Sequence, residues 1–197
     1  MSEYELLRQE ILEDYKAITQ YNLALFSIVS ATLAFVLGRE EYYLCLVPYL
    51  AIVPLFLLCE VTRKNICRIA SYMAVFLEGE AYNWENRHQK LEFKKSKKRN
   101  WQSLFLYYFV GSVCSFTSIY KIWESQFDLL GKLIRSIVVC FLTLCIFDYM
   151  RDITIDYVRL RKSMMEDWKE LKADEVNHQE MNYTVSHMSP VGHRDGE

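Results

Sequence analysis

Polar and apolar positions in this chain of 197 residues alternate in long blocks rather than residue by residue. Four blocks, 21–37, 42–59, 104–123 and 133–150, are apolar almost throughout. A bilayer core of about 30 Å takes roughly 17–25 helical residues to cross. Each block meets that length, so the pattern predicts four membrane-crossing helices in two hairpins, 21–59 and 104–150. The flanking blocks carry the period of amphipathic helices. Tyr4, Leu7, Ile11, Tyr15 and Ile18 form one apolar stripe within residues 1–20, and Ile153, Tyr157, Leu160, Met164, Trp168 and Leu171 form another along 151–172. Ile66, Ile69, Met73, Phe76 and Leu77 carry the second block on into the segment 60–103, with Gly79 as the first break. From residue 173 the period is lost, and the tail 173–197, with His178, His187, Pro190 and His193, reads as disordered. The fold class is therefore all-α: a four-transmembrane-helix bundle with helical extensions. Neither stripe can bury itself. Each is expected to pack on the other, on the middle segment or on a second copy.

Charge orients this arrangement. Of the 23 lysines and arginines, only Arg39, Lys121, Lys132 and Arg135 fall in or beside the two short turns on one side. The rest lie on the side shared by both termini and the middle segment. Basic residues flanking membrane spans are retained in the cytoplasm, which predicts a multi-pass protein of the cell (inner or plasma) membrane with both termini cytoplasmic. Tyr21, Tyr42, Tyr43, Trp101, Trp123 and Tyr149 sit at span ends, where amphipathic rings favour the headgroup region. Residues 1–20 carry Glu3, Glu5, Glu10, Glu13 and Asp14 against Arg8 and Lys16, unlike the positive start of a cleavable signal. The first span is expected to be retained.

Composition narrows the chemistry. The net charge of −2 gives no overall attraction to nucleic acid, and no direct nucleic-acid binding is expected. The six cysteines include no C-x-x-C pair and no spacing with histidine that suits a metal; most fall within the apolar blocks, where cysteine behaves as a small hydrophobe. No phosphate-binding loop, dinucleotide fingerprint, zinc-protease helix or nucleophile elbow occurs. No catalytic residue, metal or cofactor is assigned, and the chain is read as not an enzyme.

Several features are candidates for function. Lys94, Lys95, Lys97, Lys98 and Arg99 lie just before the third apolar block and suit anionic lipid headgroups, although a topology signal alone would look the same. In the third block, Tyr107, Gly111, Ser115 and Ser118 form a small and polar stripe that suits close helix packing or, alternatively, a pore lining. Pro48 and Pro54 are read as interrupting the second block, leaving the Leu44 and Leu50 carbonyls to find other partners. Arg135 and Asp148 belong to opposite interfaces; Asp148 is placed to pair with Arg151, and Arg135 to snorkel outward. With no ionisable group at mid-depth, a coupled transporter is disfavoured.

The most distinctive stretch is Ile69-Ala-Ser-Tyr72-Met-Ala-Val-Phe76-Leu-Glu78 followed by Tyr82-Asn-Trp84-Glu85. Trp84, Glu85 and Arg87 could fold back on the helix as a structural corner. Over this stretch alone, the chain resembles uncharacterised small prokaryotic membrane proteins, a resemblance that implies no known activity.

The functional expectation is a non-enzymatic oligomeric membrane protein, an effector or sensor subunit. Its cytoplasmic helices, through Ile11, Tyr15, Leu160, Met164 and Trp168, would assemble and dock a protein partner. By architecture alone the layout resembles membrane subunits of prokaryotic defence (antiviral) or toxin systems. A small ion channel and a membrane-bound enzyme of unrecognised type are the alternatives.

Overall fold

The computed structural model describes residues 2–187 except 38, 40, 78–83 and 155; the side chains of 37, 84–103 and 179–187 also lie outside the described residues. The described residues are helical nearly throughout and contain no strand. The first helix, α1 (Glu3–Leu37), starts at a capping box: the Ser2 hydroxyl accepts the Glu5 N–H (3.3 Å) while Glu5 Oε2 accepts the Ser2 N–H (2.9 Å). Its 35 residues give a rod of about 52 Å at 1.5 Å per residue, well over a bilayer core, so its first half projects beyond the apolar half.

The second apolar block does not begin as an α-helix. Tyr42–Leu46 forms a 3₁₀ turn, and α2 (Tyr49–Tyr72) starts after Pro48. Pro48 therefore does not interrupt a span. It sits at a helix start, where its missing N–H costs nothing, and the Leu44 carbonyl accepts the Val47 N–H (3.2 Å). Pro54 is the one proline inside α2. Beyond Tyr72 the helix widens into a π turn over Met73–Leu77. The expected break at Gly79 lies outside the described residues, as do the side chains of Trp84, Glu85 and Arg87 expected to fold back as a corner. Helix α3 (Trp84–Glu124) carries the basic run and the third apolar block in one piece, about 60 Å of helix. It is followed by α4 (Leu129–Ile153) and α5 (Tyr157–His187).

Among the described residues, three helical stretches are long and apolar enough to cross a membrane: Glu3–Val36, Tyr42–Leu77 and Leu129–His178. The sequence pattern predicts a fourth within α3. There the apolar residues are diluted by Tyr107, Tyr108, Gly111, Ser112, Ser115, Thr117, Ser118 and Tyr120, which lower the hydropathy of that stretch.

The core draws on four helices. Leu25 and Val29 of α1, Tyr49, Ile52, Phe56 and Cys59 of α2, Tyr107, Val110 and Cys114 of α3, and Met150 of α4 form one buried cluster. Phe56 meets Tyr107 edge to face, with centroids 5.1 Å apart. Large apolar side chains point outward from the same helices, among them Leu50, Phe116, Leu129, Phe141 and Ile137, as lipid-facing positions would.

Below this cluster, the first half of α1, the second half of α2 and α5 form a foot. Of the partners expected for the amphipathic stripes of α1 and α5, both take the continuation of α2 and its π turn, where the middle segment begins. One expectation is corrected here: the inward face of α1 is Tyr4, Leu7, Ile11, Asp14 and Ile18, and Tyr15 is 44% exposed. Asp14 turns inward because Asn65 of α2 donates to its carboxylate (2.9 Å). The tail also differs from its reading as disordered, since α5 continues to His187. Loss of the apolar period removes packing but not local propensity, and Ala173, Glu175 and Gln179 favour helix with no breaker before Pro190. The side chains of Leu171–His178 are all exposed; residues 188–197 lie outside the described set.

Candidate functional site

The small and polar stripe of α3 turns into the bundle. One turn of helix separates each member from the next, and each meets a partner on a different element. Ser118 donates to the Tyr42 carbonyl (3.1 Å) in the 3₁₀ turn. Ser115 lies 2.6 Å from the Tyr49 hydroxyl of α2 and 2.6 Å from the Thr143 hydroxyl of α4. Tyr49 donates to the Gly111 carbonyl (2.7 Å), and Thr143 donates to the Val139 carbonyl (2.8 Å) in its own helix. With Ser115 donating to either neighbour, each of the three hydroxyls has an acceptor for its proton.

Gly111 is where α3 comes closest to its neighbours. A Cβ there would stand 2.8 Å from Phe147 Cε1 and 3.3 Å from Tyr49 Cε1. Phe147 cannot easily withdraw, because it stacks on Tyr108 (centroids 4.5 Å, 23°) and its carbonyl accepts the Tyr108 hydroxyl (2.9 Å). Beside Ser115 and Thr143 runs an open, mainly apolar groove of about 320 Å³ between α3 and α4, lined also by Ser112, Phe116 and Cys140.

Two turns lower, Tyr107 joins three helices. Its hydroxyl lies 3.0 Å from Cys59 Sγ on α2 and 3.2 Å from Asn22 Oδ1 on α1. Where the chain leaves the core, Glu60 of α2 is only 2% exposed. Arg63 donates to one of its oxygens (3.2 Å), and the Tyr157 hydroxyl of α5 donates to the other. Burial first, and then donation to this carboxylate, push the Tyr157 phenol well above the ordinary tyrosine range, against a smaller opposing effect of Arg63. Tyr157 therefore stays a donor at any physiological pH. The guanidinium of Arg63 also stands 5.9 Å over the Tyr157 ring, and Arg161, one turn along α5, is 6% exposed.

The foot ends in an aromatic cluster. Tyr72 and Phe76 stack (4.9 Å, 24°), and Trp168 of α5 meets both edge-on at 5.4 and 6.1 Å. Lys172 donates to the Val75 carbonyl (2.6 Å) of the π turn, tying α5 to the end of this segment. The Tyr72 hydroxyl donates to Glu3 of α1 (2.9 Å); that bond, with some burial, raises its pKa.

Of the residues singled out by sequence, Tyr107, Gly111, Ser115 and Ser118 come together inside the bundle, facing α2, α4 and the 3₁₀ turn of the same chain. Ile11, Leu160, Met164 and Trp168 are half-buried in the foot. Lys94, Lys95, Lys97, Lys98 and Arg99 are in the helical backbone of α3, but their side chains lie outside the described residues, as do those of Trp84, Glu85 and Arg87. Asp148 pairs with Arg151 (3.3 Å). Instead of snorkelling freely, Arg135 is held over the Phe127 ring at 3.3 Å, with Tyr42 5.7 Å away.

Sequence reasoning missed Asn22, Tyr49, Glu60, Thr143 and Tyr157. A lone Asn in an apolar block and a carboxylate directly at its end are signals, because burying either demands a partner; the identity of that partner is not in the local sequence. Among the described residues no three His, Cys, Asp or Glu side chains converge as a metal site. No protein-family model, curated protein or solved structure matches the chain.

Proposed function

We propose that this protein is a four-span, non-enzymatic membrane sensor or effector subunit whose foot docks a protein partner and passes that event into the membrane bundle. The observation that carries the reading is the course of α2 and its π turn. One continuous helical segment, 49–77, holds Tyr49 in the hydroxyl network at one end and Tyr72 and Phe76 in the foot at the other. A packed helix transmits displacement along its axis, because interiors are close-packed and deform little. In the proposed topology α3 crosses as the fourth span, and both termini and the basic segment face the cytoplasm, supported by the charge asymmetry. The basic run of α3 would then sit against anionic headgroups. Assembly as a homo-oligomer, and service in a prokaryotic defence or toxin system, belong to the same proposal and rest on architecture alone.

The test uses a thiol in the bundle as reporter. Cys114 is fully buried, so its reaction with a small maleimide reports opening of the core. In reconstituted protein carrying Cys45, Cys59, Cys67, Cys140 and Cys145 as serine, Trp168→Ala in the foot should change the Cys114 labelling rate about 5-fold or more, the lower range of typical site-to-site coupling. An unchanged rate, with hydrogen exchange showing that α5 has loosened, would separate foot from bundle and remove the transmitting role.

A further inference from the structure

We infer that the contact between Glu60 and Tyr157 is a latch that sets the direction of α5, and that α5 turns about the break behind it when the latch opens. Four observations meet here. The helix of α4 ends at Thr154, whose backbone is extended (φ −61°, ψ 119°). The next helix begins at Tyr157, with Asp156 Oδ1 accepting the N–H groups of Val158 (3.2 Å) and Arg159 (3.5 Å). Tyr157 is the first residue of that helix, and its hydroxyl donates to a carboxylate almost wholly buried on α2. Among the described residues, the far end of the same contact face is held by ring contacts of Trp168, by Lys172 standing 5.4 Å over the Phe76 ring and by the Lys172 donation to a carbonyl.

Leverage follows from length. Trp168 lies eleven residues beyond Tyr157, which is about 16 Å along the helix at 1.5 Å per residue. A turn of about 10° at the break therefore moves Trp168 by about 3 Å, enough to part rings now 5.4 and 6.1 Å from it. Loss of the phenol takes from a buried carboxylate the donor that α5 supplies through its first residue, and a lost donor to a buried charged group is costly. The bond is thus the natural place for α5 to give way. The inference gains its meaning from the transmitting role but not its geometry: it is read as a distance within the foot, whereas that role is read at Cys114.

The experiment is a spin-label distance between Lys64→Cys on α2 and Lys169→Cys on α5, both exposed positions, in full-length protein with the six native cysteines replaced by serine. Tyr157→Phe should shift or broaden the distance distribution by about 3 Å or more. Glu60→Gln, which keeps an acceptor and the volume, should shift it less. Lys172→Ala, at the far end, should leave the mean near wild type. A wild-type distribution in folded Tyr157→Phe, or a larger shift for Lys172→Ala than for Tyr157→Phe, would overturn the latch. Should Tyr157→Phe not fold, Glu60→Gln decides: a shift supports the latch, and an unshifted distribution identical in width to wild type counts against it.

Discussion

At Gly111 the absence of a side chain is itself the contact. The glycine lets Tyr49 and Phe147 approach the backbone of α3, and the Tyr49 hydroxyl then reaches the Gly111 carbonyl. Adding a methyl group forces apart rings that are themselves stacked and bonded, so Gly111→Ala should destabilise the bundle by about 1–3 kcal/mol, the range for overpacking. Gly131→Ala is the control. Its Cβ would come close to the Asp128 carboxylate (2.6 Å), with Phe127 Cβ at an ordinary contact distance (3.9 Å). That carboxylate is the free end of a side chain that makes no cap bond, and a change within about 0.5 kcal/mol is expected. Tyr49→Phe should cost about 0.6–1.7 kcal/mol, as for other polar contacts between membrane helices, because Ser115 and Thr143 still bond each other. Unfolding in mixed micelles ranks the three; Gly131→Ala as harmful as Gly111→Ala would refute the close approach. Tyr107, Gly111, Ser115 and Ser118 were legible as a stripe because they recur at helical spacing. Asn22, Tyr49 and Glu60 were not, because each stands alone in its block and is explained only by a residue on another helix.

Among the elements, α2 is the axis of the foot. The sequence shows two amphipathic stripes, and periodicity does reveal which residues turn inward, with the exceptions of Tyr15, displaced by Asp14, and Leu171, which is exposed. What each stripe packs against is not periodic information: Asp14 meets Asn65, fifty-one positions away, and Tyr157 meets Glu60, ninety-seven away. Because α1 and α5 each pack chiefly on α2, the effects of Ile11→Ala and Leu160→Ala should be independent. Each residue is half-buried, so each substitution should cost about half of the 2–5 kcal/mol known for full burial. The double variant should then equal the sum within about 0.5 kcal/mol. A coupling of 1 kcal/mol or more would restore direct packing of the two stripes. The end of α5 makes a different prediction. Its side chains from Leu171 to His178 are exposed, and beyond Lys172 the described interaction is the charge of Glu175 acting on Tyr72. A chain ending at Ala173 should therefore keep its stability within about 0.5 kcal/mol, measured by the same unfolding assay.

For the whole molecule, the division into apolar bundle and polar foot was readable from the block pattern, because burial in lipid and burial in water select different compositions. The number of crossings was less readable. The residues that make α3 the hydrogen-bonding centre of the bundle are the same ones that weaken its apolar signal, so hydrogen bonding and span signal compete within one helix. Parity decides between the counts: four crossings put both ends of the chain on one side, whereas three put them on opposite sides. The direct measurement is labelling by a membrane-impermeant maleimide of single cysteines at Glu10, Gln126 and His178, all exposed, in cells and in inverted vesicles. The account predicts that Gln126→Cys reacts in intact cells, while Glu10→Cys and His178→Cys react only in inverted vesicles. Reaction of Glu10→Cys and His178→Cys from opposite faces would show that α3 does not cross and would contradict the four-span bundle.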